Sequence, residues 1–371
     1  MKVRDIDHPL LPPLTAEDRS RQRMVVALKR TINGRLRPRN IALYHAHGEP
    51  AFVDRHGRRP ESRSDMLEAF SAAPRYRIWS ALNRTAQEMI WLAAGEPLVR
   101  DDARRANVAD TLPLLGSLTL DPAFDPPAEI ADIDIHLQPG GYALDRGDGD
   151  TLAGALYEAG GNIFAFGQGV GRNDSKAGAV IRHLEASFPD FRPRRILDLG
   201  CSAGAATCAW AAHYPDAEVH GLDIGTGMLR YAHHRARALG VAVHFHQGDA
   251  ARLPKFEDDS FDLVVSHNLL HEIGRDQRRA MMTEAFRVTR PGGLVLHQDV
   301  STRFVDDDVA RVERAWDTRY NGEAFWDIYA VDDLVADMRA AGFPDHTIRE
   351  QRLGQVDGVA GWYLLEGRVG A

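Results

Sequence analysis

Residues 196–207 read ILDLGCSAGAAT, and the fold turns on how this stretch is built. Ile196 to Leu199 form a short apolar run of strand character. Ala205 onward has the small, straight-chain composition of a helix. Gly200 and Gly204 sit where the strand must turn sharply into that helix, and a side chain there would keep the backbone away from a bound ligand. A glycine-rich turn also occurs where dinucleotides bind, so the turn alone decides little. Asp198, two places before Gly200, decides more. A carboxylate there repels a diphosphate lying over the turn and attracts a ligand carrying a free ammonium group.

The pattern continues outward in both senses of the chain. RRILDLG, EVHGLDI, VHFHQGD, FDLVVSHN and LVLHQDV read as strands, with helical periodicity between them. HTIREQRL and GWYLLEGRV follow as two further strands with no room for a crossover helix, so they are expected to pair antiparallel. This predicts a seven-stranded, mostly parallel, doubly wound α/β sheet. The second strand ends in Asp223-Ile224, 23 residues after Gly200, where a carboxylate can accept from both hydroxyls of a ribose. The third ends in Gln247-Gly248-Asp249-Ala250, where a carboxylate and a backbone N–H can meet an adenine edge.

These segments, in their order and spacing from Arg194 to the C-terminus, resemble motifs I to IV of the class I S-adenosylmethionine (SAM)-dependent methyltransferases. The resemblance implies a Rossmann-like catalytic domain with SAM as cofactor. Asp198, Gly200 and Gly204 would hold its methionine part, with Ser202 a small residue where many members have glycine. Asp223 and Ile224 would meet the ribose side, and Asp249 and Ala250 the adenine. Asn268 falls where the family closes the site near the sulfonium. Cys201 reads as packing beside the cofactor.

The acceptor is less legible. After the fourth strand the chain reads SHNLLHEI, without the Asn/Asp-Pro-Pro-aromatic motif of many nucleic-acid amino-methyltransferases. His271 lies nine residues after Asp262, where caffeate-type small-molecule O-methyltransferases carry a His-Asp pair. Here the pair is His271-Glu272, and the similarity implies His271 as general base with Glu272 beside it, acting on an oxygen of a small molecule. An imidazole has the pKa such a base needs; the alternative is a histidine that merely starts a helix. His267, His271, Glu272, His297 and Asp299 gather at the ends of strands four and five. Such a cluster could bind a divalent or ferric metal, but it reads first as hydrogen-bonded groups near the pocket, and no metal is assigned. The aromatic-rich segments 157–171 and 316–329 either line the pocket or belong to the core.

The chain has 371 residues, enough for two domains. Residues 1–120 read as a mainly helical domain that covers the substrate and pairs two copies. Residues 121–150 read as a Pro/Gly-rich linker, and 151–371 as the catalytic domain. Within the helical part, Asp65–Ala94 shows helical spacing interrupted at Pro74 and is expected to stop at Gly95 and Pro97. No apolar run approaches the about 18 residues of a membrane span. The start, MKVRDIDHPLLPP, has no apolar core of a secretory leader. Two cysteines exclude a disulfide framework, and a reducing cytoplasm fits. Net charge is −8, yet residues 19–63 hold twelve Lys/Arg against three Asp/Glu. That stretch reads as a solvated, ion-paired face rather than a nucleic-acid site. A tRNA or protein methyltransferase using it, and a catalytically silent SAM-binding subunit, stay open as alternatives. A nicotinamide dehydrogenase is disfavoured by Asp198.

Overall fold

The computed structural model describes residues 8–147, 149–164, 175–304, 308–354 and 361–370. Its centre is one sheet of strands β1 (Ser117–Thr119), β2 (Arg195–Leu199), β3 (Glu218–Asp223), β4 (His244–Gln247), β5 (Phe261–His267), β6 (Thr289–Asp299), β7 (Arg349–Leu353) and β8 (Trp362–Arg368). The spatial order is β1-β4-β3-β2-β5-β6-β8-β7. All neighbours from β1 to β6 run parallel, whereas β8 is antiparallel to both β6 and β7. The expected antiparallel C-terminal pair is present.

Among the described residues the sheet has eight strands, not seven. The added strand, β1, is three residues long and lies beside β4, with Ser117 opposite His244. Three residues are too few to show a period, so nothing in the local pattern announces it.

Alternation along the central strands sorts their side chains onto two faces. Leu197, Leu199, Val264 and Val295 join a core with the helices Arg275–Val288 and Leu334–Ala341. Ile196, Leu263, Val265, Leu294 and Leu296 join another with the helices Ser175–Ser187, Ala205–His213 and Thr226–Leu239. Every residue of β5 is buried, as befits a central parallel strand covered on both sides. Each such aliphatic side chain contributes about 1.5–3 kcal/mol by leaving water.

The N-terminal part is helical. Thr15 caps the helix Ala16–Thr31 and Ser62 the helix Arg63–Ser71, each in a reciprocal capping box. Pro74 begins the next helix, where its missing N–H costs nothing. That helix runs Pro74–Arg100, so the stop expected at Gly95 and Pro97 does not occur. Pro97 cannot donate to the carbonyl of Ala93; Gln22 Nε2 donates to that carbonyl instead, at 3.3 Å. With Leu98 fully buried beyond the proline, tertiary packing outweighs the local breaker. This helix packs on Leu152–Phe164, and their shared core reaches Ala203 in the turn after β2.

A buried polar knot ties the same regions together. Glu158 accepts from Tyr231 Oη at 2.6 Å and from Arg235 Nε at 3.1 Å, and lies 3.0 Å from His8 Nε2. Among the described residues, no helix is long and apolar enough to cross a membrane.

Candidate active site

A cleft of about 870 Å³, counting its open mouth, lies outside the carboxyl ends of β2, β3, β4 and β5. Doubly wound sheets bind ligands there because the chain departs in opposite directions from neighbouring strands. The turn after β2 forms one wall. Gly200 (φ +67°) and Gly204 (φ +75°) adopt left-handed backbone that L side chains resist, and Ser202 adopts it too (φ +51°). Gly204 then starts the helix Ala205–His213.

Asp198, Asp223 and Asp249 all line the cleft. Asp198 is buried, and its Oδ2 accepts from Thr207 Oγ1 at 2.6 Å. Asp223 accepts from the backbone N–H of Ser202 at 2.8 Å and of Gly225 at 2.9 Å. Burial pushes its carboxyl above the ordinary value, and these N–H groups oppose the rise. Asp249 accepts from the Ala251 N–H at 2.8 Å. Ser202 Oγ is buried in the cleft wall with no hydrogen-bond partner among the described residues. Three carboxylates and an unsatisfied hydroxyl suit a ligand rich in N–H and O–H donors, and they fit the ammonium, ribose and adenine groups of SAM.

Of the other residues singled out in the sequence, Gly200, Ile224, Ala250, His267, Asn268 and Glu272 also line the cleft. Gly204 does not, serving as the helix cap, and His271 lies behind Glu272. Asn268 is held at φ +57° by Gln298, whose carbonyl accepts its N–H at 2.8 Å and whose amide donates to its Oδ1 at 3.0 Å. Cys201 faces the cleft as a buried thiol whose pKa burial drives up. Such a thiol is inert packing.

The expected histidine gathering divides. His267 accepts from Trp210 Nε1 at 2.9 Å. His297 lies 2.8 Å from Ser266 Oγ, with burial lowering its pKa to about 4. Neither joins His271. His267 is the last residue of β5, whereas His271 lies in the turn beyond it. His271 is instead grouped with residues from elsewhere. Its Nδ1 is 2.6 Å from Asp299 Oδ1, and its Nε2 is 3.3 Å from Glu272 Oε1. The same Glu272 oxygen accepts from Tyr142 Oη at 2.9 Å and lies 2.9 Å from His136 Nε2. Burial disfavours the charged imidazoles, yet the carboxylates around them raise both His271 and His136 well above the usual histidine value. Burial would also raise Glu272, but His136 and His271 hold it far below the carboxylate range.

His136, Glu323 and Tyr142 were missed by sequence reasoning. His136 and Tyr142 lie in the 121–150 stretch expected as a linker, whose Ile130 and Tyr142 in fact line the cleft. Of the aromatic segments, Tyr157 lines the cleft, while residues 165–171 lie outside the described residues. Trp316 belongs to the core beside Trp79, and Trp326 packs edge-on against the His271 ring.

Comparison with known proteins agrees with this geometry. A methyltransferase-domain family model matches residues 196–293. The chain is 38% identical over 119 residues to the methyltransferase GfsG of Streptomyces halstedii, covering 31% of this chain and 41% of that protein. It is 33% identical over 135 residues to a fatty-acid O-methyltransferase of Mycolicibacterium smegmatis, covering 36% of this chain and 46% of that one. The chain thus spans less than half the length of these two relatives. A malonyl-[acyl-carrier protein] O-methyltransferase of Halorhodospira halophila is 30% identical over 217 residues, 48% of this chain and 71% of its own length. The shared region contains the turn whose Asp198 favours an ammonium over a diphosphate, and with it this chain belongs to the class I SAM-dependent methyltransferases.

Proposed function

We propose that the enzyme methylates an oxygen atom of a small-molecule acceptor, with the Glu272 carboxylate, backed by His271, accepting a hydrogen bond from the acceptor's hydroxyl. The carrying observation is the position of Glu272: it lines the cleft, and His271, locked by Asp299, stands directly behind it. SAM, when bound, supplies an electrophilic methyl group, which leaves the protein to position the nucleophile, exclude water and accept a proton. On this reading Asp198 and Ser202 hold the methionine end, with Gly200 and Gly204 shaping the turn beneath it. Asp223 receives the ribose hydroxyls, Ile224 forms an apolar wall, and Asp249 with the Ala250 N–H meets the adenine. Asn268 closes the sulfonium end. Two relatives are named for transfer to oxygen, which supports an oxygen acceptor here.

The test is incubation with methyl-labelled SAM and a metabolite extract. A labelled small-molecule ester or ether is expected. Label confined to protein or RNA would overturn the reading.

A further inference from the structure

His136, His271, Glu272 and Glu323 each offer one ligand atom, and these atoms all lie within 4.8 Å of one another. They converge from three parts of the chain: the segment Ile135–Leu137, the turn after β5, and the loop after the helix Asp308–Tyr320. Glu272 Oε1 is 2.9 Å from His136 Nε2 and 3.3 Å from His271 Nε2. Donor atoms bound to one cation at about 2.0–2.2 Å stand roughly this far from each other. Glu323 is only 5% exposed, and its Oε2 has no hydrogen-bond partner among the described residues. Its Oε1 lies 2.6 Å from His136 Nδ1, but out of line for a hydrogen bond. Such a carboxylate lacks the partners that a purely hydrogen-bonded network would give it.

The surroundings hold these side chains in place. His271 Nδ1 is held by Asp299 at 2.6 Å, which turns Nε2 toward the cluster, as in carboxylate–histidine–metal arrangements. His136 and Leu137 both adopt left-handed backbone, φ +55° and +60°. The His136 carbonyl is pinned by Trp91 Nε1 at 2.7 Å and Gln87 Nε2 at 2.9 Å. Gly322, beside Glu323, lies so close to this segment that a Cβ there would sit 2.4 Å from the Asp134 carbonyl oxygen.

We infer that His136, His271, Glu272 and Glu323 bind one divalent transition-metal ion at the acceptor end of the cleft. Two imidazoles with two carboxylates favour zinc, iron, manganese or cobalt over magnesium or calcium. Glu272 lines the cleft, so the ion stands beside it, where it would orient an oxygen-bearing acceptor and make its hydroxyl more acidic. The inference rests on the acceptor lying against Glu272; it changes what makes the acceptor oxygen nucleophilic, not where it lies.

The test uses the full-length chain, stripped with a chelator and titrated with Co²⁺, whose visible spectrum reports its ligands. One equivalent is expected to bind and to be displaced by Zn²⁺. His136→Ala and Glu323→Gln should each weaken Co²⁺ binding at least about tenfold. Binding of S-adenosylhomocysteine, measured by calorimetry on the same samples, should be retained in both variants and shows that the cleft is folded. Absence of Co²⁺ and Zn²⁺ uptake by protein that binds S-adenosylhomocysteine would overturn the metal site. Uptake that is the same in the parent chain and both variants would overturn it too. A parent chain that fails to bind S-adenosylhomocysteine would instead sink the assignment of the cleft, so the two readings fail separately.

Discussion

Asp299 Oδ1 stands 2.6 Å from His271 Nδ1, with both side chains almost wholly buried. Asp299 ends β6, and His271 follows β5, its neighbour in the sheet. Sheet pairing therefore delivers the carboxylate to the imidazole, and the carboxylate fixes which ring nitrogen faces Glu272. Asp299→Asn should keep the shape but lose that control. We expect kcat to fall by about 10²-fold, the scale of a misplaced positioning group. Affinity for S-adenosylhomocysteine should stay nearly constant, because Asp299 does not line the cleft. Steady-state kinetics with calorimetry checks this; an unchanged kcat would make Asp299 a structural partner only.

Asp223→Ala tests the cofactor assignment. The substitution removes the acceptor expected for two ribose hydroxyls and frees the N–H groups of Ser202 and Gly225. Binding of S-adenosylhomocysteine should weaken by roughly 1–3 kcal/mol. NAD should not bind to either form. Calorimetry that finds NAD binding without S-adenosylhomocysteine binding would refute the assignment.

Stability in acid should depend on Glu158. Burial alone would raise its pKa, but Arg235 and His8 overcome this and bring it down to about 2, from 4.5 when unfolded. A depressed folded-state value means the stabilisation is full above the unfolded pKa and is lost as pH falls through the folded one. The window is therefore about pH 4.5 to 2, and the contribution is on the order of 3 kcal/mol. Glu158→Gln should destabilise the protein at pH 7 by about 3–5 kcal/mol, since it leaves Arg235 buried without its counter-charge. It should also flatten the acid limb between pH 4.5 and 2. Urea unfolding across this range checks both effects; parallel acid limbs in the two proteins would remove Glu158 as their cause.

Much of the catalytic half is legible in the sequence because its signals are local. Asp198 to Gly204 is a continuous motif, and β2 to β6 are runs long enough to show their character. Strand β1 escapes because three residues carry no period. The helix through Pro97 escapes because its compensation, Gln22, lies 75 positions away in sequence. His136 and Glu323 escape for the same reason: each meets the site through a turn remote from the motifs, and only tertiary packing shows that they face His271 and Glu272. His267 is, as read, a hydrogen-bonded histidine at the cleft; His297 is hydrogen-bonded but does not line it, because proximity to a strand end does not say which face a side chain takes.

Affinity for RNA separates nucleic-acid from small-molecule chemistry. The basic stretch 19–63 would be the natural footprint for RNA if its charges stood unopposed. In the structure Arg21 pairs with Glu17 and Glu96, Arg37 with Glu313, Arg55 with Glu68, Arg58 with Asp65, and Arg59 with Glu49. Lys29 is buried over the Phe164 ring, and burial lowers its pKa to about 8. Exposed pairs of this kind add little stability, but each places a carboxylate where a phosphate would have to sit. The stretch therefore offers a polyanion far less than its twelve cations suggest. Binding to mixed tRNA at physiological salt should be no tighter than the non-specific range of about 10⁻⁴ to 10⁻⁶ M and should weaken steeply as salt rises. Filter binding at several salt concentrations measures it. Submicromolar affinity that persists at high salt would require contacts beyond phosphate attraction, and would move the acceptor from a small molecule to RNA.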